Sequence, residues 1–379
     1  VFIALLGIGI IVPVMPVFAT ELGASGLALG MLIAAFSGVR ALLQPVVGNL
    51  SDSWGRKNFL VVGLFIYGLV GLLIPQAGSV GNLIAIRGFH GVGSAMIVPI
   101  AMAYMSALSP AGQEGHYMSY LNIAIFTGIG CGPVIGGVLS DTLGLSAVFY
   151  VMALLSFVAF LLVIRHMPGQ VKSVNKEHAG LVVSLGRMIR RRKTMGILLA
   201  RYGTMIMMVP TMAFLPLLLS QVHQCTGIQI GLVIASRTLV NAVLQEPFGR
   251  LADRGNKLLL LVFGCSAMSC ALVLVPQAPG FLWMIGLYCF LGLGEAVIWP
   301  VLGAYASEEG KAHYGHGTMM GVFNLAMSAG VFTGGLVGGV SLDYLGIEWA
   351  FYLAALSVLT ISLVAALMIG SADREAVPA

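Results

Sequence analysis

A chain of 379 residues that is 59% hydrophobic and 9% charged, with a mean hydropathy of +0.99, is too apolar for a soluble fold, where about 45–50% apolar and about 25% charged residues are usual. Its formal net charge of +5 comes from 19 Lys and Arg set against 14 Asp and Glu. The five cysteines, Cys131, Cys225, Cys265, Cys270 and Cys289, form no C-x-x-C pair and have no His at ligand spacing, so neither a redox motif nor a metal site is expected.

Cut at its polar and Gly/Pro-rich clusters, the chain gives twelve apolar spans, near 1–19, 26–47, 58–75, 82–106, 115–139, 145–165, 194–220, 228–248, 258–276, 281–306, 316–340 and 346–370. Runs of roughly 20 apolar residues cross a bilayer as helices, which satisfy their backbone hydrogen bonds internally. The first run contains Pro13 and Pro16 and lacks a basic leader and a small-residue cleavage site, so it is expected to be a spanning helix and not a signal peptide. With no Met ahead of Val1, a short cytoplasmic leader is expected to precede it.

An even number of spans places both termini on one side, and the basic residues say which. Fifteen of the 19, namely Arg56, Lys57, Arg165, Lys172, Lys176, Arg187, Arg190, Arg191, Arg192, Lys193, Arg250, Arg254, Lys257, Lys311 and Arg374, fall in loops or tails on one face, which is therefore expected to be cytoplasmic. The other four, Arg40, Arg87, Arg201 and Arg237, lie inside spans, so the opposite face has none. Orientation and attraction to anionic lipid account for the positive charge without nucleic acid. The longest polar stretch, Arg165 to Lys193, is the expected linker between an N-terminal six-helix bundle at 1–165 and a C-terminal one at 194–379, with 166–193 cytoplasmic.

The two halves repeat at an offset of 201–202 residues. Gln44, Gly48, Leu50 and Asp52 return as Gln245, Gly249, Leu251 and Asp253, with Gly55 and Lys57 echoed one position early by Gly255 and Lys257. Gly91, Gly93, Pro99 and Tyr104 return as Gly292, Gly294, Pro300 and Tyr305, and Gly136, Gly137, Asp141 and Gly144 as Gly338, Gly339, Asp343 and Gly346. Two like-oriented halves imply a substrate path between them near the midplane, opened alternately to each side by rocking.

Charged groups at bilayer depth cost roughly 2.5–3.5 kcal/mol on insertion scales and are functional candidates by default. Glu295 is the only carboxylate well inside a span, which suits reversible protonation tuned by an arginine such as Arg87 or Arg237. The competing reading is a permanently paired structural glutamate. Arg40, Asn122, Thr127, Arg201, Tyr202, Asn241, Trp299 and Asn324 are candidates to line the cavity, and the 20 methionines are either a permissive surface or core filler.

Gly48-Asn49-Leu50-Ser51-Asp52-Ser53-Trp54-Gly55-Arg56-Lys57 resembles the signature loop of the major facilitator superfamily, and the resemblance extends along the whole chain to its drug:proton antiporter branch with twelve spans. In physical terms, glycines allow a tight turn, and a carboxylate beside Arg56 and Lys57 suits a charge-assisted network with helix ends. The family implies a conformational latch at Gly48, Asp52, Gly55, Arg56 and the echo Asp253, although Ser53 replaces a customary basic residue.

The segment Gly128 to Gly137 is similar to the glycine-proline motif of exporters and implies a hinge at Gly132, Pro133, Gly136 and Gly137. Plain helix packing is the alternative. Gly7 to Pro16 looks like the opening motif of tetracycline-type exporters, with Ala4 where an Asp is common. Arg87 to Gly93 resembles the family's intramembrane arginine motif, linked there to proton transfer, with His90 where Gln is frequent.

The chain shows no phosphate-binding G-x-x-x-x-G-K-[S/T] loop and no H-E-x-x-H cluster, which argues against an ATP-driven pump and an intramembrane metalloenzyme. The expected protein is thus an all-α membrane transporter, not an enzyme and without a cofactor, monomeric in the bacterial inner membrane with both termini cytoplasmic. Its expected partners are a small-molecule substrate, protons and membrane lipid, with no nucleic acid. Proton-coupled multidrug-type efflux of a small lipophilic molecule is the expected function. The alternative is a proton-coupled or facilitated importer of a polar or anionic metabolite.

Overall fold

The computed structural model describes residues 1–108, 114–168, 181–314 and 316–375. Every regular element among them is helical. The chain opens with α1 (Phe2–Ile11) and α2 (Met15–Glu21), which meet at a 41° bend around Pro13, whose ring supplies no N–H to the helix ladder. Next comes α3 (Gly26–Trp54), begun by Ser25, whose side chain accepts the Ala28 N–H at 3.2 Å, and ended by Gly55 at φ +91°. Then follow α4 (Arg56–Leu73), α5 (Val80–Leu108), α6 (Glu114–Leu143) and α7 (Leu145–His166).

The second part starts with α8 (Leu181–Arg190) and α9 (Arg192–Ile206). Beyond Ile206 the helix widens into π-helical turns at Pro210–Phe214 and Leu218–Val222 on either side of α10 (Leu215–Leu217), because Pro210 and Pro216 interrupt the regular ladder. α11 (Gly227–Arg254), α12 (Lys257–Leu274), α13 (Phe281–Glu309), α14 (His316–Tyr344) and α15 (Ile347–Glu375) complete it. The described residues hold 11 helices long and apolar enough to cross a membrane, and a twelfth when the bent pair α1 and α2 is taken as one span. This is the all-α twelve-span architecture expected from the hydropathy.

Contacts divide the chain into two compact units, one of Val1–Asn175 with Met212–Ala235, the other of Lys176–Thr211 with Ser236–Ala379. The segment 212–235, which the sequence places in the second half, thus packs within the first unit.

The sequence repeat is also a repeat of helix crossings. A Cβ added to Gly91 would lie 2.5 Å from the Phe36 carbonyl oxygen, and one added to Gly292 would lie 2.4 Å from that of Arg237. Both pairs are 201 residues apart, so the α3–α5 crossing of the first unit is built like the α11–α13 crossing of the second. Such approaches need a residue without a side chain, which explains glycine in helices that would otherwise be more stable with alanine. At an offset of 202, Gly144 and Gly346 share left-handed backbones, φ +88° and +96°, before α7 and α15.

Candidate transport site

In the second unit α11 and α13 bring Arg237 and Glu295 face to face, each 2% exposed. Arg237 donates through Nε to Glu295 Oε2 at 2.9 Å and through Nη2 to Oε1 at 2.5 Å, a bidentate pair. Its Nη1 donates to Thr211 Oγ1 at 2.6 Å, and Nη2 also reaches Met208 Sδ at 3.2 Å. Tyr288 on α13 donates its hydroxyl proton to the Thr211 carbonyl at 3.2 Å. The ion pair thereby ties α11 and α13 to the π-helical turn after α9.

Removing one partner of a buried pair typically costs roughly 3–5 kcal/mol, because the other charge stays behind uncompensated. Loss of either charge would therefore disturb the packing of three elements.

Arg201 on α9 is the second arginine of this unit. Its guanidinium lies over the rings of Phe323, at 4.8 Å, and Trp299, at 5.9 Å, with Nη2 3.0 Å from Met327 Sδ. Glu295 lies within its electrostatic reach. Of the residues expected to line a cavity, Arg201 and Trp299 are thus brought together. Asn241 is buried with neither amide atom partnered, and the Trp299 indole nitrogen is likewise unpartnered. Tyr202 and Asn324 are half-buried and Thr127 is exposed.

The first unit holds Arg40 on α3 and Arg87 on α5. Arg87 donates from Nη1 to His90 Nδ1 at 2.8 Å and stacks over the Phe36 ring at 4.5 Å. His90 meets the Tyr67 ring edge to face at 4.4 Å. The Tyr67 hydroxyl, hydrogen-bonded to Ser94, is within electrostatic reach of both Arg40 and Arg87. The expected proton-coupling trio is therefore split, with Arg237 and Glu295 in one unit and Arg87 in the other.

The glycine-proline segment of α6 is a close-contact surface within the first unit. A Cβ on Gly132 would sit 2.5 Å from Gly9 Cα, one on Gly136 2.0 Å from the Ile10 carbonyl oxygen, and one on Gly137 2.1 Å from that of Gly227. Reciprocally, a Cβ on Gly231 would sit 2.3 Å from the Pro133 carbonyl oxygen. Just beyond, Asp141 accepts from the N–H groups of Gly227 and Ile228 at the start of α11. A cavity of about 210 Å³ beside it is lined by residues that include Pro13, Val17, Ser140, Cys225 and Ile230.

At the signature loop, Arg56 Nη1 donates to the Ala103 carbonyl at 2.8 Å, while Lys57 Nζ donates to those of Ile164 and Met167, each at 2.7 Å. These bonds fasten the start of α4 to α5 and to the end of α7. A Cβ on Gly48 would meet nothing. In the second unit Lys257 pairs with Glu308. The side chains of Asp52, Asn122 and Asp253 lie outside the described residues.

Asp141, Thr211, Tyr288 and Glu309 were not singled out as site candidates from the sequence. Glu309 is buried, accepts from Thr194 Oγ1 at 2.9 Å and lies 3.3 Å from Arg191 Nε. Asp141 was visible as one member of the repeat, whereas nothing local in the sequence marks Thr211.

Two repeated helical units, a buried arginine–carboxylate pair inside the spans and a glycine-lined helix contact fit a membrane transporter. The chain belongs to the Major Facilitator Superfamily, whose family model matches residues 1–315 and 203–378. It is 28% identical over 373 residues to an uncharacterized MFS-type transporter of Methanocaldococcus jannaschii, covering 97% of this chain and 96% of that protein. It is also 28% identical over 373 residues to multidrug resistance protein 2 of Bacillus subtilis, covering 93% and 89%. Relatives of this kind support its place in the drug:proton antiporter branch. Among solved structures, the nucleoside transporter NupG superposes with a TM-score of 0.81 at 13% identity, covering 97% of each chain, a likeness of fold.

Proposed function

We propose that this integral membrane protein exports a small lipophilic molecule in exchange for protons by alternating access, with Glu295 carrying the proton and Arg237 as its counter-ion. The observation that carries the reading is the bidentate Arg237–Glu295 pair, 2% exposed on both sides and tied through Thr211 to a proline-broken helix. Protonation of Glu295 leaves Arg237 without its partner, a penalty of roughly 3–5 kcal/mol. That compares with the roughly 5.5 kcal/mol that carries a two-state equilibrium from 1:99 to 99:1.

In this reading the 1–165 and 194–379 halves rock about the Gly132–Gly137 segment, and the 48–57 loop latches one state. The protein acts as a monomer in the plasma membrane of a bacterial cell, with both termini and the 166–193 linker cytoplasmic.

The test is substrate flux in proteoliposomes with and without an imposed pH gradient. Glu295→Gln is expected to abolish pH-driven accumulation while keeping exchange at equilibrium. Accumulation by the Gln variant under a pH gradient alone would return Glu295 to a structural role. Orientation is tested by a cysteine at Lys176, whose labelling by an impermeant reagent in intact cells would overturn it.

A second reading, import of a polar or anionic metabolite, draws on the excess of four arginines inside spans over Glu295, the one carboxylate well inside a span. Uptake into inverted vesicles supports export, and uptake into intact cells supports import.

A further inference from the structure

Four arginines lie inside spans against Glu295 as the one carboxylate well inside a span, so the interior carries more positive than negative fixed charge. The second unit offsets part of its share, because Glu295 pairs with Arg237 and lies within reach of Arg201. In the first unit, spans 26–47, 58–75 and 82–106 contain Arg40 and Arg87 and no Asp or Glu. At an insertion cost of roughly 2.5–3.5 kcal/mol each, two uncompensated guanidinium groups are expensive unless something negative visits them.

The donor inventory of this cluster is one-sided. A guanidinium has no acceptor, so in the Arg87–His90 contact at 2.8 Å the His90 Nδ1 lone pair accepts and the ring proton resides on Nε2. That Nε2–H belongs to a side chain 0% exposed and has no hydrogen-bond partner. The Nε–H groups of Arg40 and Arg87 are also buried and unpartnered. Three buried donors without an acceptor among the described residues, on two closely crossing helices, are chemically suited to an anion. Phe36 covers one face of the Arg87 guanidinium at 4.5 Å, which leaves the in-plane N–H edge for a carboxylate, sulfonate or phosphate oxygen.

The fold itself does not require these donors. At the 201-residue offset, Arg40, Arg87 and His90 correspond to Asn241, Tyr288 and Leu291, so the equivalent crossing in the second unit is built without them.

We propose that Arg40, Arg87 and His90 form an anion-recognition site for the head group of an amphiphilic organic anion, the substrate class of this transporter. The apolar body of such a ligand suits the Phe36 and Tyr67 rings beside Arg87 and His90, while its head group would accept from these donors. This rests on the transporter reading but not on Glu295 as the proton carrier, because the test measures binding at equilibrium without a proton gradient. A negative result here leaves pH-driven transport standing, and the reverse also holds.

Purified protein in neutral detergent is titrated calorimetrically with three probes of one size, 1-naphthalenesulfonate, 1-naphthol and 1-naphthylmethylammonium. The sulfonate is expected to bind tightest. Arg40→Gln and Arg87→Gln are each expected to weaken it roughly tenfold or more, as loss of a hydrogen bond to a charged group implies, with naphthol unchanged.

Should a Gln variant not fold, Arg40→Lys or Arg87→Lys replaces it, keeping the charge but losing the planar fork. A lowered sulfonate affinity with naphthol unchanged then supports the site, and an unaltered one overturns it. Equal or tighter binding of naphthol or the ammonium probe also overturns the proposal. Displacement of the sulfonate by phosphatidylglycerol but not phosphatidylcholine in mixed micelles supports the site and assigns its anion to the membrane. Lack of displacement supports a soluble anion.

Discussion

The Asp141 carboxylate at the end of α6 holds the start of α11, accepting the Gly227 N–H at 2.8 Å on one oxygen and the Ile228 N–H at 2.9 Å on the other. The first N–H groups of a helix have no intrahelical acceptor, and the positive end of the helix dipole favours an anion. α11 also caps itself, with Thr226 N–H donating to Gln229 Oε1 at 2.9 Å. Asp141 therefore adds a clasp between two helices.

Removal of a cap of this kind costs roughly 0.5–2 kcal/mol, or about 2- to 30-fold in an opening equilibrium. Asp141→Ala is expected to loosen the α6–α11 contact. Cys225 lines the adjoining cavity, and burial pushes its thiol pKa up, so less reactive thiolate is present at a given pH. In a background where Cys225 is the only cysteine, its maleimide labelling should accelerate several-fold in the Ala variant. An unchanged rate would mean that the clasp holds nothing closed.

Gly136 and Gly303 make a paired test of close packing. A Cβ on Gly136 would lie 2.0 Å from the Ile10 carbonyl oxygen, backbone that cannot swing aside, while one on Gly303 would meet nothing. Gly136→Ala should therefore lower stability by about 1–3 kcal/mol, the usual cost of overpacking. Gly303→Ala should be neutral or gain up to about 1 kcal/mol from helix propensity. Thermal unfolding in one detergent compares them, and a Gly136→Ala midpoint equal to wild type would show that α1 and α6 slide apart freely.

Much of this architecture could be read from the sequence because membrane helices announce themselves by composition and repeats by spacing. The offset that matched Gly91 with Gly292 turned out to be a matched helix crossing, and Gly144 with Gly346 a matched turn. Glu295 stood out as a carboxylate in an apolar run, and Arg237 is the arginine that meets it. Thr211 and Glu309 did not stand out, since a threonine after a proline and a glutamate near a helix end are unremarkable until tertiary contacts bury them.

The same offset exposes where the halves diverge. Phe36 and Ser94 of the first unit stand where the second has Arg237 and Glu295. One crossing geometry thus carries an ion pair in one unit and unpaired donors in the other.

Lys57 tests the fastening of the signature loop. Its ammonium donates to the carbonyls of Ile164 and Met167 at the end of α7, which have no further helical turn to bond. Lys57→Met keeps the aliphatic stem and removes both bonds, at about 1 kcal/mol given its partial exposure. Hydrogen exchange at the last turn of α7 should rise in the variant, and unaltered protection there would make Lys57 merely an orientation charge.

Thr211 offers the most direct probe of how the buried pair is transmitted. Its hydroxyl accepts from Arg237 Nη1 at 2.6 Å and donates to the Met207 carbonyl at 2.8 Å, joining the ion pair to the widened turn at Pro210. Thr211→Val has nearly the same shape but leaves a buried guanidinium N–H without an acceptor, at a cost of roughly 1–3 kcal/mol. Thr211→Ser keeps the hydroxyl. If this bond carries the coupling, the Val variant should lose stability and lose pH-driven flux in proteoliposomes while retaining equilibrium exchange, and the Ser variant should restore both. A Val variant that is destabilised yet pumps at the wild-type rate would show that Thr211 only satisfies Arg237.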